Sequence, residues 1–301
     1  MKSIIPPSLI AGDKVALIAP AKKFERNEIS DGIKTLQSWG LEVVEGKNIY
    51  KGYHQFSAND DERLEDLQNA LDDPSIKAIF AVRGGYGTSR IIDKLSFKKF
   101  KEQPKWIIGY SDITVLHTHL NRRKYATLHS IMPLTFGQKD SKESVNLLKK
   151  VLFGENLEYK LNNHPLNREG KTKGEIVGGN LSILNTVIGT RSEIKTKGKI
   201  LFLEDIGEYL YHLDRMMVHL KRSGKLEKLS GLIVGHFTDI KDGSEPFGKS
   251  AYEIIQDAVE EYDYPVCFGF PAGHEPVNHP LIFGQKAKLI VSKKEVSLTY
   301  Y

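Results

Sequence analysis

Short apolar runs alternate with helical patterns through the first half of the chain. "KVALIAP" has the length and β-branched content of a strand, and Ile29, Ile33 and Leu36 follow it at the spacing of one helix face. "LEVVEG" comes next, then a helix bearing Leu64, Leu67 and Leu71, with Ser57 and Asp60 ahead of it at the spacing of a capping box. The run "KAIFAV" gives way to the glycine-rich "RGGYG" and a helical stretch with Ile91, Ile92 and Leu95. "KWIIGY" is apolar without alternation, as a central parallel strand covered on both faces should be. This βα order predicts an α/β domain over residues 1–154, a mostly parallel sheet with functional residues where its strands end. The helix "KESVNLLKKVLFG" closes it.

"ENLEYKLNNHPLNREGKTKG" is polar, aperiodic and rich in turn formers, and reads as a linker or meandering strands over 155–174. Residues 175–301 then form a second unit of mixed α/β type. It holds the strands "KILFLED" and "GLIVGHF", a helix lined by Leu210, Leu213, Met217 and Leu220, and another carrying Ile254, Ile255, Ala258, Val259 and Tyr262. "AKLIVSKKEVSLTY" closes the chain as a hairpin.

Composition narrows the classes. With 301 residues, 40% hydrophobic and 27% charged, the chain can bury two ordinary cores. Its 43 basic and 38 acidic residues are interspersed, without the basic stripe that phosphate backbones require, so no nucleic-acid partner is expected. Cys267 is the only cysteine, which excludes an intramolecular disulfide and a cysteine zinc site, and "YPVCFGFP" suits a buried, inert thiol. Pro6-Pro7 and Gly12-Asp13 interrupt the amino-terminal apolar stretch, so it does not read as a signal peptide. No window reaches the ~18 apolar residues of a spanning helix. A cytoplasmic protein without a membrane partner is expected.

The glycine loop sits between strand and helix, where backbone N–H groups can cradle a phosphate. Its spacing fails that reading: Gly85-Tyr86-Gly87 is followed by Thr88, Ser89 and Arg90, not by the glycine of G-x-G-x-x-G, and no Walker pattern is present. Ser111 in "GYSDIT" stands at the next strand-to-helix junction, where a strained turn can expose a nucleophilic hydroxyl. Ile113 replaces the second glycine of the hydrolase elbow, and a helix cap at Ser111 or Asp112 is the plainer alternative. A serine nucleophile needs a base and an orienting acid. Glu204 and Asp205 end an apolar strand, and His274 stands in a loop bounded by Pro271 and Pro276, with His279 a second choice. His117 and His119 read as packed or solvated, and no histidine pair has metal-ligand spacing, so no metal is expected.

Together "RGGYG" (83–87), "GYSDIT" (109–114), "GGNLSIL" (178–184), "LFLED" (201–205), "DRMM" (214–217) and the late "GH" (273–274) resemble the LD-carboxypeptidases, in order and over nearly the whole chain. The resemblance implies a flavodoxin-like or amidotransferase-like amino-terminal domain, a mixed carboxy-terminal domain and a homodimer. It also implies a serine peptidase that trims murein tetrapeptides in the cytoplasm during peptidoglycan recycling, with no cofactor. It makes Ser111 the nucleophile, Glu204 the acid and His274 the base, with backbone donors at Gly85 and Asp112 for the oxyanion. Arg83, Asn180 and Arg215 stand at motif positions suited to the substrate carboxylate, although both arginines are equally suited to pairing with acids such as Asp214. One branch of the family cleaves peptidyl-nucleotide antibiotics and stacks the base between tryptophans of the second domain. Here Trp39 and Trp106 both lie in the first half. A catalytically silent binding module of the same fold is the alternative of another class.

Overall fold

The computed structural model describes residues 3–301. The apolar runs of the first half become β1 (Lys14–Ile18), β2 (Glu42–Glu45), β3 (Ile76–Ala81), β4 (Trp106–Gly109) and β5 (Thr127–His129). They lie parallel in the order β2-β1-β3-β4-β5, which is the flavodoxin-like order. The connections carry α1 (Ser30–Ser38), α2 (Asp60–Asp72), α3 (Thr88–Ile91), α4 (Lys98–Glu102) and α5 (Thr114–Arg122), with α6 (Lys142–Leu152) after β5. The strand order reverses between β1 and β3, so the loops leaving them diverge and open a crevice.

Local chemistry shifts two boundaries. The capping box of α2 is made by Asn59 and Glu62, whose side chains bond each other's backbone N–H at 3.0 and 3.2 Å. Ser57 lies outside the helix and donates its hydroxyl to the Ala19 carbonyl. The helix expected through Leu95 stops at Ile91 and tightens into a 3-10 turn over Ile92–Lys94.

The rest of the chain adds β6 (Glu158–Asn162), β7 (Gly170–Asn180), α7 (Leu181–Thr186), β8 (Ile200–Ile206), α8 (Leu210–Arg222), β9 (Gly231–Thr238) and α9 (Ala251–Ala258). β10 (Val266–Cys267), β11 (Leu281–Phe283), β12 (Lys286–Val291) and β13 (Glu295–Tyr300) complete it. The second sheet runs β10-β9-β8-β7-β12-β13-β6, parallel from β10 to β7 and antiparallel beyond. Within the stretch 155–174, β6 and the first residues of β7 belong to this sheet, and residues 163–169 connect them. β6 buries Tyr159 between exposed Glu158 and Lys160, an edge-strand alternation too short to stand out among polar neighbours.

The two units interlock. β11 leaves the second and pairs antiparallel with β5, Leu281 opposite His129 and Phe283 opposite Thr127. α5 packs on β7, where the Asn180 N–H donates to Thr114 Oγ1 at 3.1 Å. One apolar cluster contains Phe80 and Leu128 from the first sheet together with Phe202, Ile233 and Phe270.

Candidate active site

β4 ends at Gly109, and two residues later Ser111 adopts φ 64°, a left-handed conformation that costs a serine energy and is held only where the surroundings over-determine it. A 3-10 turn over Ser111–Ile113 then leads into α5. Gly109 is needed for this bend, since a Cβ there would stand 2.9 Å from Ile113 Cγ1. The glycine loop comes closest at Gly84, where a Cβ would stand 2.7 Å from Ser111 Cβ and 2.8 Å from its hydroxyl oxygen. Gly85, the residue the motif brought forward, has φ 114° and backs onto Lys22, whose Cβ would lie 2.6 Å from an added methyl. Asp112 is buried and accepts the Thr88 N–H at 2.8 Å, pinning the start of α3 to the serine turn. Burial raises its carboxyl pKa, against the opposing pull of that hydrogen bond.

β8 is buried from Ile200 to Asp205, so Glu204 has no solvent exposure at all. Its Oε2 lies 2.6 Å from His274 Nδ1. With Nδ1 occupied by the carboxylate, Nε2 is the nitrogen left to accept a proton. The loop after β10 delivers this histidine because Gly273, at φ 135°, leaves the carboxylate room: a Cβ would come within 3.2 Å of Glu204 Oε2. The Gly273 N–H is tied to Asn278 Oδ1 at 3.0 Å, and the Tyr110 ring meets the imidazole edge-on at 4.9 Å between centroids. Burial disfavours the imidazolium, but the Glu204 charge and hydrogen bond, aided by Asp205 and Glu275, outweigh it, and the His274 pKa lies above the usual histidine value.

Ser111 and His274 line one cleft of about 510 Å³, with Lys22, Arg83, Asn180 and Asp205 on its walls. Every one of these residues lies at or beyond the carboxyl end of a strand in the parallel part of its sheet, where such sheets place ligand-binding residues. Arg83 is oriented by a 3.1 Å hydrogen bond to the Lys23 carbonyl. Asn180 caps α7 by accepting from the Ile183 N–H at 3.1 Å and donates to Asp205 Oδ1 at 2.8 Å. Burial, reinforced by the neighbouring Glu204 charge, pushes the Asp205 carboxyl up to about 7.

Arg215 is not brought to this cleft within the chain. It is exposed on α8 with its guanidinium 5.6 Å from the Tyr211 ring centre, because the helix turns its apolar side inward through Leu213, Met216 and Met217. His279 is likewise elsewhere, buried with Nε2 3.7 Å from Glu143. His117 and His119 are packing residues, bonded at 2.8 Å to the Gly109 carbonyl and to the Ser192 hydroxyl. Gly84, Lys22 and Tyr110 also line this cleft without having been singled out in the sequence; Lys22 stands just past the first strand, so the strand-end rule applied to β1 would have found it. Among the described residues no cluster of three or more His, Cys, Asp or Glu could hold a metal, and no helix is long and apolar enough to cross a membrane.

Comparison with known proteins draws these features together. Residues 15–130 match the LD-carboxypeptidase N-terminal domain and residues 173–289 the C-terminal domain. The probable murein peptide carboxypeptidase of Bacillus subtilis is 35% identical over 294 residues, covering 96% of this chain and 92% of the relative. The crystal structure of muramoyltetrapeptide carboxypeptidase from Oxalobacter formigenes superposes with a TM-score of 0.87 at 29% identity, covering 95% of this chain and 98% of that one. The microcin C7 self-immunity protein of Escherichia coli is more distant, 26% identical over 98% of this chain and 96% of its own. With both domain types matched in order and that identity carried along nearly the full length, the chain belongs to the LD-carboxypeptidase family.

Proposed function

We propose that this protein is a serine carboxypeptidase that removes the terminal D-alanine from murein tetrapeptides. The observation that carries the reading is the fully buried Glu204, 2.6 Å from His274 Nδ1, with His274 and the left-handed Ser111 on one cleft. His274 Nε2 takes the Ser111 proton as the hydroxyl attacks the carbonyl of the L-configured centre of the diamino acid. The proton then passes to the leaving amine, D-alanine departs, and water resolves the acyl-enzyme by the same route. Glu204 keeps the imidazole in the required tautomer and stabilises its charged form. The N–H groups of Gly85 and Asp112 receive the developing oxyanion, a role worth about 3–4 kcal/mol per donor in other enzymes. Arg83 receives the substrate carboxylate, and Asn180 shapes the opposite wall. The names of the Bacillus and Oxalobacter relatives support the substrate.

The immunity-type reading, cleavage of a peptidyl nucleotide, has less support. Trp39 and Trp106 are 8% and 3% exposed in the first unit, which leaves neither indole free to stack on a base. Cytoplasmic murein recycling by a homodimer completes the proposal on the strength of the family resemblance, and sedimentation of the purified protein tests the dimer. The decisive experiment is release of D-alanine from an L,D-linked tetrapeptide in a chelator-containing buffer without nucleotide. Wild-type protein is expected to release it and Ser111→Ala to fall by on the order of 10⁴-fold or more. Intact tetrapeptide after incubation with well-folded wild-type protein overturns the reading.

A further inference from the structure

Between Gly85, on the cleft wall, and Gly87, at φ 151°, stands Tyr86, 48% exposed and without a part in the chemistry above. A lone exposed ring is ordinary, but this one is braced. Its ring lies 5.9 Å from that of Phe56, and Phe56 in turn has two guanidinium groups against its ring, Arg63 at 4.8 Å and Arg90 at 5.6 Å. Arg90 is itself held by both Asp60 oxygens, each 2.9 Å from Nε. Beside Phe56 a groove of about 580 Å³ is lined by that ring, Tyr53 and Arg90 and by the acidic side chains Asp60, Asp61, Glu62 and Glu65. Tyr53 is 51% exposed.

The charges around this groove are spent on one another: Asp60 on Arg63 and Arg90, Glu62 on Lys51 at 2.6 Å, Asp61 on Lys94 at 3.3 Å and Glu65 on Lys47 at 3.7 Å. What it offers a ligand is aromatic face beside paired polar groups, which suits an uncharged polar ring better than an ionic peptide. The axial C–H groups of a pyranose match the negative face of such a ring, and its hydroxyls match the neighbouring carboxylate and guanidinium. The geometry points to a subsite for the N-acetylated amino sugar attached at the amino-terminal end of a murein peptide, with Tyr86 as its stacking platform. This rests on the murein-peptide reading.

Reach agrees with it. Gly84 abuts the serine hydroxyl, and two residues of chain carry the backbone at most ~7 Å further to Tyr86. Three peptide residues separate the scissile carbonyl from the sugar and extend by up to ~10 Å. A peptide running out over the glycine loop therefore brings its sugar to this lip and not into the cleft.

The test compares kcat/KM for the free tetrapeptide with that for the same tetrapeptide carrying a disaccharide of N-acetylglucosamine and N-acetylmuramic acid. Tyr86→Ala should lower the ratio of sugar-bearing to free substrate roughly three- to tenfold, through KM, the size of one aromatic contact. Tyr86→Phe should preserve the ratio. In parallel, saturation-transfer NMR of the peptide-free disaccharide against Ser111→Ala protein should show contacts to the sugar ring protons that vanish when Tyr86→Ala is added. An unchanged ratio with unchanged sugar contacts makes Tyr86 a support of the loop and overturns the subsite. Dissociation of a dimer on Tyr86→Ala overturns it in favour of an interface between copies. If wild-type protein cleaves neither substrate the functional reading fails, and the NMR contacts still decide the subsite.

Discussion

His274 retains 12% of its side-chain exposure and Glu204 none, so the pair is an ionisable contact in a largely dry place. In the proposed mechanism His274 is the general base, which must be neutral to work, and its pKa is raised. The acid limb of kcat/KM should therefore lie above the ~6.5 of an unperturbed histidine, with activity lost as the pH falls through it. Glu204→Gln removes the charge that favours the imidazolium, so the limb should move to lower pH while kcat drops by on the order of 10⁴-fold through loss of the tautomer. A pH–rate profile whose limb stays in place in Glu204→Gln overturns this account. These residues could be read from the sequence because each ends or follows a strand, and strand ends follow from apolar runs alone. Arg215 could not: its motif fixes a helix position, whereas the direction of the side chain depends on how α8 packs through Met216 and Met217.

At the scale of elements, the glycine loop shows what a motif leaves open. Its three glycines announced a close approach, but which one makes it depends on how β3 and β4 sit side by side, Phe80 opposite Ile108, a relation between distant segments. The approach to the serine falls on Gly84, and space alone forbids a side chain there, 2.8 Å from the Ser111 oxygen. Gly84→Ala should displace Ser111, the proposed nucleophile, and lower kcat about 100-fold, the order of loss that follows an ångström of misplacement. Far-UV circular dichroism and KM should change little. Wild-type turnover in Gly84→Ala would remove the glycine from the site. The capping box of α2 carries the same lesson in reverse. Asn59 and Glu62 satisfy the pattern as well as Ser57 and Asp60 do, and the cap went to Asn59 because the Ser57 hydroxyl is committed to the Ala19 carbonyl.

The whole molecule departs most from what periodicity could show. A division near residue 175 follows the change in pattern, and the second sheet respects it except that β6 and the start of β7 come from the stretch before it. β11 does not respect it, because three residues, Leu281–Phe283, carry no period and take their place by pairing with β5 far back in the chain. This strand and the apolar cluster joining Phe80 and Leu128 to Phe202 and Phe270 pack the two sheets against each other. Urea unfolding should accordingly be a single transition. Trp39 and Trp106 fluorescence reports the first sheet and far-UV circular dichroism both, and the two curves should coincide. Phe283 sits at the seam, its ring 5.3 Å from His129 and 6.0 Å from Phe202. Phe283→Ala leaves a cavity costing about 3–5 kcal/mol. If the seam couples the sheets, that substitution lowers both midpoints together. A fluorescence curve that moves while the remaining dichroism change stays at its wild-type midpoint would mean that the sheets unfold independently.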